Sequence, residues 1–579
     1  MATLYDGKVL AGIVIAPDAP QQAAYAASQL RHYLGLMTGG AFVVSNGVPG
    51  NNDIGLLAGD ASLGDDGFTI DVTGQGITLA GGKRGIIYAV YELLERLGCR
   101  FFAIDCEVVP VCTPLVVPMM QVKQVPELEY REHNYSDLTQ HTRFAVKSRV
   151  NGQSHRISED MGGHTSYAWF VHTYDKMVPQ EEYADAHPEY YALWEGKRQT
   201  QKHTGQLCLS CEGTLEATIK SVRKALLANP DAKMISLSQN DWNGHNCQCA
   251  ACAASDQEEG SPSGTLIKFV NKVAERLEPE FPQVVFSTLA YNYTRPAPRH
   301  AKPRHNVSIQ LCSIECCFAH PFETCDDPHR SVKRPDGSAG SFMDDLTSWG
   351  RVSRRNFIWD YTTCFAHYPT PHPNWRNLQR NMRAFVRNGV TGVFEQANGA
   401  KGGGTDLNEL RAYVITKLLW DKDTDVARHI REFTDAYYGA AAPMIRAYID
   451  LICDKAEKDN IHVGFNDEPS DELFSDDTLD QMTALLNQGL EAVQGDAVRM
   501  WRVHKALLSP RYVRIRRDIK RGKTDIQAIN AFFADWRAHR MTRMEEWFSA
   551  ETSLRSMLDG KPRGVDYFAH WIDESPEVL

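Results

Sequence analysis

The stretch MISLSQND (residues 234–241) and the stretch VSIQLCSIE (residues 307–315) decide the fold, because each is a short apolar run that ends in polar residues. Short apolar runs without strict alternation are typical of strands that a parallel sheet buries on both faces. Six further runs of this kind lie at residues 128–134, 147–151, 206–209, 284–291, 357–360 and 392–394. Eight such runs, separated by helical segments or loops, predict an α/β fold with a central (β/α)8 TIM-like barrel.

Segments of different character flank these runs. Toward the N-terminus, helical spacing at residues 21–37 and 86–97 surrounds an alternating hairpin, which predicts a small α/β accessory domain. After the last run, apolar residues recur at helical intervals and predict an α-helical C-terminal domain. A chain of 579 residues is long enough for three domains, which we expect at residues 1–122, 123–405 and 406–579.

Composition and charge exclude several classes of protein. The net charge of −11 disfavours nucleic acid as a partner, and the basic run at residues 511–523 is interpreted as a solvated helix face. No membrane partner is expected, because no apolar stretch reaches 18 residues. The first residues lack a signal-peptide pattern, so we expect a cytoplasmic location, or a secreted or periplasmic one if a leader has been removed. A homo-oligomer is compatible with the sequence.

Acidic and amide residues follow four of the predicted strands, and they supply the candidate catalytic groups. Because barrel enzymes build their sites from the carboxyl ends of the strands, these side chains should converge. Converging carboxylates suit glycosidic hydrolysis, in which one group protonates the leaving oxygen and another stabilises or attacks the oxocarbenium-like centre. Each residue alone is equally consistent with a helix cap or a salt bridge, but four together favour a site. We predict Asp241 and Glu315 as the catalytic pair.

Residues near the same strand ends are the candidate ligands of a substrate. Aromatic rings match the apolar face of a pyranose, and Tyr291 and Tyr361 are the rings that stand beside polar strand ends. An oligosaccharide or glycan is therefore the expected partner. The predicted substrate-binding residues are Asn240, Arg131, Asn134, Tyr291, Asp360, Tyr361, Glu395 and Asn398.

The fourteen cysteines are clustered along the chain, which is unlike the spacing of a disulfide scaffold. Cys247, Cys249 and Cys252 follow Asp241 closely and could supply three thiolates to a tetrahedral zinc ion, with Cys208 or Cys211 as the fourth ligand. Buried free thiols and a disulfide are the alternatives. We predict a structural zinc ion at Cys247, Cys249, Cys252 and Cys208. No cofactor is expected for catalysis, since an all-thiolate site leaves no open position. A further group gathers at Cys312, Cys316, Cys317 and Cys325.

Several motifs carry a resemblance to known families. GGKRGIIYAVYELLERLGCRFF (residues 81–102) resembles the N-terminal α/β domain of α-glucuronidases and β-hexosaminidases. Much of the remaining chain resembles the domain of unknown function 4838, which is associated with glycoside hydrolase family 163, the endo-β-N-acetylglucosaminidases of complex N-glycans. The matching motifs are QND (239–241), CQCAAC (247–252), GTLIKFVNKVA (264–274), STLAY (287–291), SIEC (313–316), IWDYTT (358–363) and LRAYVITKLLWD (410–421).

The resemblance implies retaining hydrolysis of a β-linked N-acetylhexosaminide, in which the 2-acetamido oxygen of the substrate attacks the anomeric carbon. Asp241 would be the acid/base or the group that orients the acetamide, and Glu315 would be its partner carboxylate. Asn240, Tyr291 and Tyr361 would then bind the acetamide and hydroxyl groups. Asp360 and Glu395 would bind further hydroxyls or exchange roles with Glu315.

Alternative functions remain open from the sequence. One is an α-glucuronidase-like inverting enzyme, with Glu315 and Glu395 as the pair and Arg131 recognising the uronic acid. Another is a non-catalytic carbohydrate-binding protein built on a degenerate barrel. A zinc-dependent nucleic-acid module ranks last, because the acidic balance of the chain counts against it.

Overall fold

The N-terminal region is an α/β layer that packs beside the central sheet. The computed structural model describes residues 1–560 except 9, 243, 335 and 336. The predicted helices of this region correspond to α1 (Ala23–Thr38) and α2 (Gly85–Arg96). Its strands are β1 (Ala2–Tyr5), β2 (Ile13–Ile15), β3 (Val44–Asn46), β4 (Ile54–Ala58), β5 (Phe68–Thr73), β6 (Gly76–Gly81), β7 (Arg100–Ala103), β8 (Cys106–Val108), β9 (Leu115–Val117) and β10 (Met120–Gln124). Six of them form one sheet in the order β10-β5-β6-β4-β2-β3.

A second six-stranded sheet forms the centre of the molecule, and all of its strands are parallel. Its order is β11-β20-β19-β16-β15-β14. The strands of this region are β11 (Tyr130–His133), β12 (Leu193–Trp194), β13 (Lys197–Arg198), β14 (Met234–Ser236), β15 (Val285–Ala290), β16 (Val307–Cys312), β17 (Val332–Lys333), β18 (Ala339–Gly340), β19 (Asn356–Tyr361) and β20 (Val390–Gln396). The helices are α3 (Ser136–Thr139), α4 (Thr142–Lys147), α5 (Tyr174–Met177), α6 (Gln180–Tyr183), α7 (Glu212–Ala228), α8 (Ala250–Glu259), α9 (Pro262–Leu277), α10 (Phe342–Val352) and α11 (Leu378–Arg387).

The sheet is curled, and it differs from the predicted barrel at two of the eight expected strands. Residues 147–151 are not a strand, because helix α4 ends there and Arg149 adopts a positive φ of 57°. Residues 206–209 form only a single antiparallel bridge, between Leu207 and Tyr191. Isolated backbone hydrogen bonds take their place. The Asn151 amide donates to the Arg131 carbonyl, the Thr165 amide donates to the Asn151 carbonyl, and Tyr167 bridges in parallel to Met234 on β14.

Alternating side chains divide the central sheet into an inner and an outer face. Tyr130, Tyr167, Met234, Phe357 and Phe394 pack together on the inner face. A second layer, nearer the carboxyl ends of the strands, contains Leu289, Tyr291 and Cys312, with Trp359 packed against it. Because successive side chains point to opposite faces, the residues between these positions lie on the outer face, toward the helices.

Helices make up the C-terminal region. They are α12 (Asn408–Trp420), α13 (Val426–Tyr438), α14 (Ala442–Lys458), α15 (Asp476–Ala492), α16 (Ala497–Lys520), α17 (Ile526–Ala538) and α18 (Ala550–Leu558). The loop between α17 and α18 returns to the central sheet, where the Gln396 side chain on β20 donates to Oε1 of Glu546 at 2.8 Å, and the Glu546 amide donates to the carbonyl of Phe365 in the loop after β19 at 2.9 Å. Within the described part of the chain, no helix combines the length and apolar character that crossing a bilayer requires.

Candidate functional site

Asp241 and Tyr291 meet at the carboxyl end of the central sheet. The Tyr291 hydroxyl donates a hydrogen bond of 3.1 Å to Oδ1 of Asp241. The chain after β14 is held there because the Gln239 amide donates to the Tyr291 carbonyl at 2.8 Å. Burial, and then the nearby charge of Asp241, raise the pKa of Tyr291 well above its ordinary value. The phenol therefore keeps its proton and remains a donor to the carboxylate.

Glu315 lies beyond the end of β16 and is tied to a buried arginine. Nη1 of Arg295 donates to Oε2 of Glu315 at 3.0 Å, and Nε of the same guanidinium donates to Asp345 at 2.8 Å. The Arg295 side chain is fully buried, whereas Glu315 remains partly exposed. The guanidinium thus fixes Glu315 at the edge of the inner face and leaves the carboxylate accessible.

Tyr361 is buried near the two predicted catalytic carboxylates. Its pKa is raised well above the ordinary value by burial and then by nearby groups that include Glu315 and Asp241. Asp241 and Tyr291 are thus in direct contact, and Glu315 and Tyr361 lie in their neighbourhood, while the catalytic and binding roles of these residues stay predictions.

A third carboxyl group, Glu546, joins this cluster from the helical region. Its Oε1 accepts a hydrogen bond of 2.8 Å from Gln396, whose own oxygen accepts one of 2.7 Å from the Trp359 indole. Burial, and then the charge of Asp241, raise the pKa of Glu546 to about 8. A carboxyl group whose pKa is raised in this way can hold its proton near neutral pH, which is the property that a general acid needs.

Asp360 and Glu395 are placed differently from their prediction. They are register partners on β19 and β20 and occupy the outer face, between inward positions such as Trp359 and Phe394. Both are buried, and Oε2 of Glu395 has no hydrogen-bond partner among the described residues. Burial raises the pKa of Asp360 to about 6, and burial followed by Asp360 raises that of Glu395 well above its usual range. Their predicted role as sugar ligands is corrected: they form a buried acidic pair behind the sheet.

Arg131 also lies outside the cluster. Its side chain is fully buried on the outer face of β11, where it pairs with Asp66 at 3.3 Å. The guanidinium donates in addition to the carbonyl oxygens of Arg149 and Leu128, and it lies 5.3 Å from the centre of the Trp420 ring. With its donors held in this way, Arg131 joins the N-terminal layer to the sheet, and its predicted role as a substrate ligand is corrected.

Three asparagines that were predicted as ligands hold loops in the structure. The Asn240 amide is buried and donates to Asp175 at 2.7 Å and to the carbonyl of residue 205 at 2.8 Å. Asn398 is fully buried and donates to the carbonyl of Gly403 at 2.9 Å. These contacts occupy the amide groups of Asn240 and Asn398, so the structure corrects their ligand roles. Asn134 accepts from the Ala397 amide at 2.5 Å and is partly exposed, so its ligand role stays a prediction.

The four cysteines predicted to bind zinc come together. The sulfur atoms of Cys208, Cys247, Cys249 and Cys252 all lie within 4.8 Å of one another. The Cys208 sulfur is 3.7 Å from that of Cys249 and 3.9 Å from that of Cys252. A tetrahedral zinc ion with Zn–S bonds of about 2.3 Å separates its ligand sulfurs by about 3.8 Å, so this donor set fits the metal. Cys211, the alternative fourth ligand, lies outside the group.

Aromatic side chains line the loop that connects Asp241 with the four cysteines. The Trp242 indole donates to Nε2 of His245 at 3.2 Å, and the Trp194 ring centre lies 5.2 Å from that of His245. All three rings are partly exposed. Partly exposed rings beside a carboxylate are the surface on which a sugar ring stacks. The sequence analysis did not select these two tryptophans, because only the structure places both rings beside His245.

A cavity of about 660 Å³ lies away from this cluster, between the N-terminal layer and the helices. Several of its charged lining groups are paired with one another: Arg149 with Glu92 and Glu95, and Lys417 with Glu95. These ion pairs join the N-terminal layer to the helical region at the cavity wall. The carboxylate cluster is the better candidate site.

Comparison with known proteins gives two family matches and a shared fold. The family described as Domain of unknown function (DUF4838) matches residues 101–450, and glycosyl hydrolase family 20, domain 2, matches residues 8–98. No match is found among curated proteins. A family GH115 4-O-methyl-α-glucuronidase with specificity for decorated arabinogalactans has a TM-score of 0.58 and 11% identity, covering 94% of this chain and 78% of its own.

Two β-N-acetylhexosaminidase structures match at lower TM-scores. The enzyme of Bacteroides fragilis NCTC 9343 has a TM-score of 0.41 and 12% identity, covering 77% of this chain and 93% of its own. The enzyme of Streptomyces coelicolor A3(2) has a TM-score of 0.41 and 13% identity, covering 76% of this chain and 92% of its own. At such identities, the shared fold with the GH115 enzyme is the result that bears on this chain.

Proposed function

The chain belongs to the DUF4838 family, and from this premise we propose that it is a glycoside hydrolase whose active site is the Asp241, Glu315 and Glu546 cluster. The observation that carries the proposal is the meeting of these carboxyl groups at the carboxyl end of a parallel sheet, around Tyr291 and Tyr361. The shared fold with a GH115 enzyme and the family 20 domain at residues 8–98 support it. In this proposal the curled sheet, with the bridging segments at Asn151 and Thr165, is an irregular (β/α)8 barrel.

The chemistry assigns a different task to each carboxyl group. Glu546, with its raised pKa, donates a proton to the leaving glycosidic oxygen. Asp241, oriented by the Tyr291 hydroxyl, faces the acetamido group and stabilises the positive charge that develops there. Glu315, ion-paired to Arg295, accepts hydrogen bonds from sugar hydroxyls. No metal takes part in these steps.

The proposed substrate is a β-linked N-acetylhexosaminide in an N-glycan or a related oligosaccharide, which is cleaved with retention by substrate assistance. Support comes from the resemblance of residues 236–319 to endo-β-N-acetylglucosaminidases of family 163. In substrate assistance the nucleophile is the acetamido oxygen, so the enzyme needs an acid and an orienting carboxylate. Glu546 and Asp241 fit these two roles, and the exposed Trp194 and Trp242 rings offer a stacking surface for further sugars.

The α-glucuronidase-like alternative finds little support in the site. It requires Glu395 as the partner of Glu315 and Arg131 as the uronic acid ligand. Glu395 is buried on the outer face, and Arg131 is bound to Asp66. The structural likeness to a GH115 enzyme concerns the fold.

Digestion of released complex N-glycans and of aryl β-N-acetylglucosaminides, followed by mass spectrometry, tests the proposal. We expect cleavage by the wild-type protein and losses of several orders of magnitude in Asp241→Asn, Glu315→Gln and Glu546→Gln. Glu395→Gln is the matched control and should retain activity, because Glu395 lies on the outer face of the central sheet. Near-wild-type activity in both Asp241→Asn and Glu315→Gln would remove the assignment. Binding without turnover would indicate a carbohydrate-binding protein.

We also propose a structural zinc ion at Cys208, Cys247, Cys249 and Cys252. The amide of Leu193 donates to the Cys247 sulfur at 3.3 Å, which attaches the cluster to the β12 strand that carries Trp194. A metal ion here would hold the loop that follows Asp241. Metal analysis of the wild-type protein and of Cys247→Ser tests this, and we expect the variant to lose about one zinc ion per chain.

A further inference from the structure

A second cluster of cysteine and histidine side chains begins two residues after Glu315 in the chain. Cys317, His320 and Cys325 come from the loop after β16, and His462 comes from the segment that follows α14. One ligand atom of each lies within 4.8 Å of the others. We propose that these four residues bind a second zinc ion, which ties the Glu315 loop to the helical region.

The distances between the donor atoms match a tetrahedral ion. The Cys317 sulfur is 3.4 Å from Nδ1 of His320, and the Cys325 sulfur is 3.8 Å from Nδ1 of His462. Zn–S bonds of about 2.3 Å and Zn–N bonds of about 2.0–2.1 Å place a sulfur and a nitrogen about 3.5 Å apart. Two thiolates and two imidazoles form one of the common structural zinc sets. The two negative thiolates balance the two positive charges of the zinc ion, so the site as a whole is neutral.

The surroundings also favour a metal ion over a set of separate hydrogen bonds. The Cys317 sulfur is buried, and the rings of His320 and His462 lie 4.6 Å apart between centres. The other ring nitrogen of His462, Nε2, faces the Asp326 carboxylate at 3.5 Å. A carboxylate on the distal nitrogen is the usual partner of a zinc-bound imidazole, because it fixes the orientation of the ring. Both cysteines are free thiols in the structure.

The position of the cluster gives the ion a structural role. Cys317 is two residues after Glu315, and the neighbouring Phe318 amide donates to the Val463 carbonyl at 2.8 Å. Binding of zinc would therefore lock the Glu315 loop against residues 462–463. The effect on catalysis rests on the proposed function, whereas binding of the metal does not.

Zinc analysis of the purified full-length protein tests the proposal. We expect Cys317→Ser and His462→Ala each to lose about one zinc ion per chain relative to wild type, whatever the enzymatic activity. Cys453→Ala is the matched control, since Cys453 is a buried free thiol on α14 outside both clusters. A zinc content unchanged by both substitutions would overturn the proposal.

A second measurement covers the case in which these variants fail to fold. In Cys247→Ser protein loaded with Co²⁺, the second site should still give thiolate-to-cobalt charge-transfer bands and tetrahedral d–d bands. In the wild-type protein, a chelator should expose Cys317 and Cys325 to alkylation, measured on peptides. Chelator-independent alkylation, or a disulfide between these two cysteines, would refute the site. Absence of glycosidase activity in a wild-type protein that holds zinc at this site would count against the proposed function alone.

Discussion

Replacing Glu546 by glutamine should change how the stability of the protein depends on pH. Burial and the charge of Asp241 raise the pKa of Glu546 from 4.5 to about 8 in the folded state. Because the folded pKa is raised, the favourable contribution is complete below pH 4.5 and is lost as the pH rises through 8. One pKa unit corresponds to about 1.36 kcal/mol, so wild type should lose up to about 2.7 kcal/mol relative to Glu546→Gln between pH 6 and pH 8. The figure is an upper limit, since the side chain keeps some contact with solvent.

Urea unfolding of wild type and Glu546→Gln at pH 6 and pH 8 measures this difference without a substrate. Taking the difference between the two proteins removes the contributions of other carboxyls that titrate in the same range, such as Asp360. Asp241→Asn should be measured in the same way, because removing the Asp241 charge should lower the pKa of Glu546 and reduce the pH dependence of the free energy of unfolding. Equal pH dependence in wild type and Glu546→Gln would refute the raised pKa and, with it, the role of Glu546 as the acid.

Three further substitutions test other parts of the structure. Tyr291→Phe removes the hydrogen bond that orients Asp241, so kcat/KM should fall roughly 10- to 100-fold. The same bond stabilises the folded protein by about 1.5–3 kcal/mol, so activity is to be measured well below the unfolding midpoint of the variant. Arg131→Met removes one of the two arginines that pair with buried Asp66, the other being Arg84, and takes the donor from the carbonyl oxygens of Arg149 and Leu128. It should destabilise the protein by about 1–3 kcal/mol in urea, while KM for any cleaved glycan stays unchanged. Glu395→Gln removes a buried carboxyl of raised pKa, so the thermal midpoint at pH 8 should rise above that of wild type, and activity should not change. A large loss of activity would show that Glu395 takes part in catalysis or substrate binding.

Reasoning from strand ends identified part of the site, and the alternation of side chains explains where it failed. Asp241 and Glu315 follow the carboxyl ends of parallel strands, and Asp241 accepts a hydrogen bond from Tyr291, while the catalytic roles of both carboxylates stay predictions. Asp360 and Glu395 also stand at strand ends, but they are one position out of phase with the inward rings of Trp359 and Phe394. The phase could have been inferred from those neighbouring apolar residues.

Contacts between distant parts of the chain could not be predicted in the same way. Glu546 lies in a loop between two helices, where no strand marks its position, and it reaches the sheet only through the packing of the helical region. His462 is separated from Cys325 by 137 residues, so the sequence showed a group of cysteines but not that His462 joins two of them in the proposed second zinc site. The cluster around Cys247 was easier to predict from the sequence, because three of its four cysteines lie within six residues of one another.

The return of the loop between α17 and α18 to the central sheet has a consequence for the boundaries of the functional unit. The family match ends at residue 450, yet the carboxyl group with the raised pKa belongs to residue 546. A protein truncated before residue 546 would lose Glu546, the proposed proton donor, although Asp241 and every strand of the central sheet precede it in the chain. Under the proposed function, cleavage therefore requires the part of the chain that lies beyond the family match.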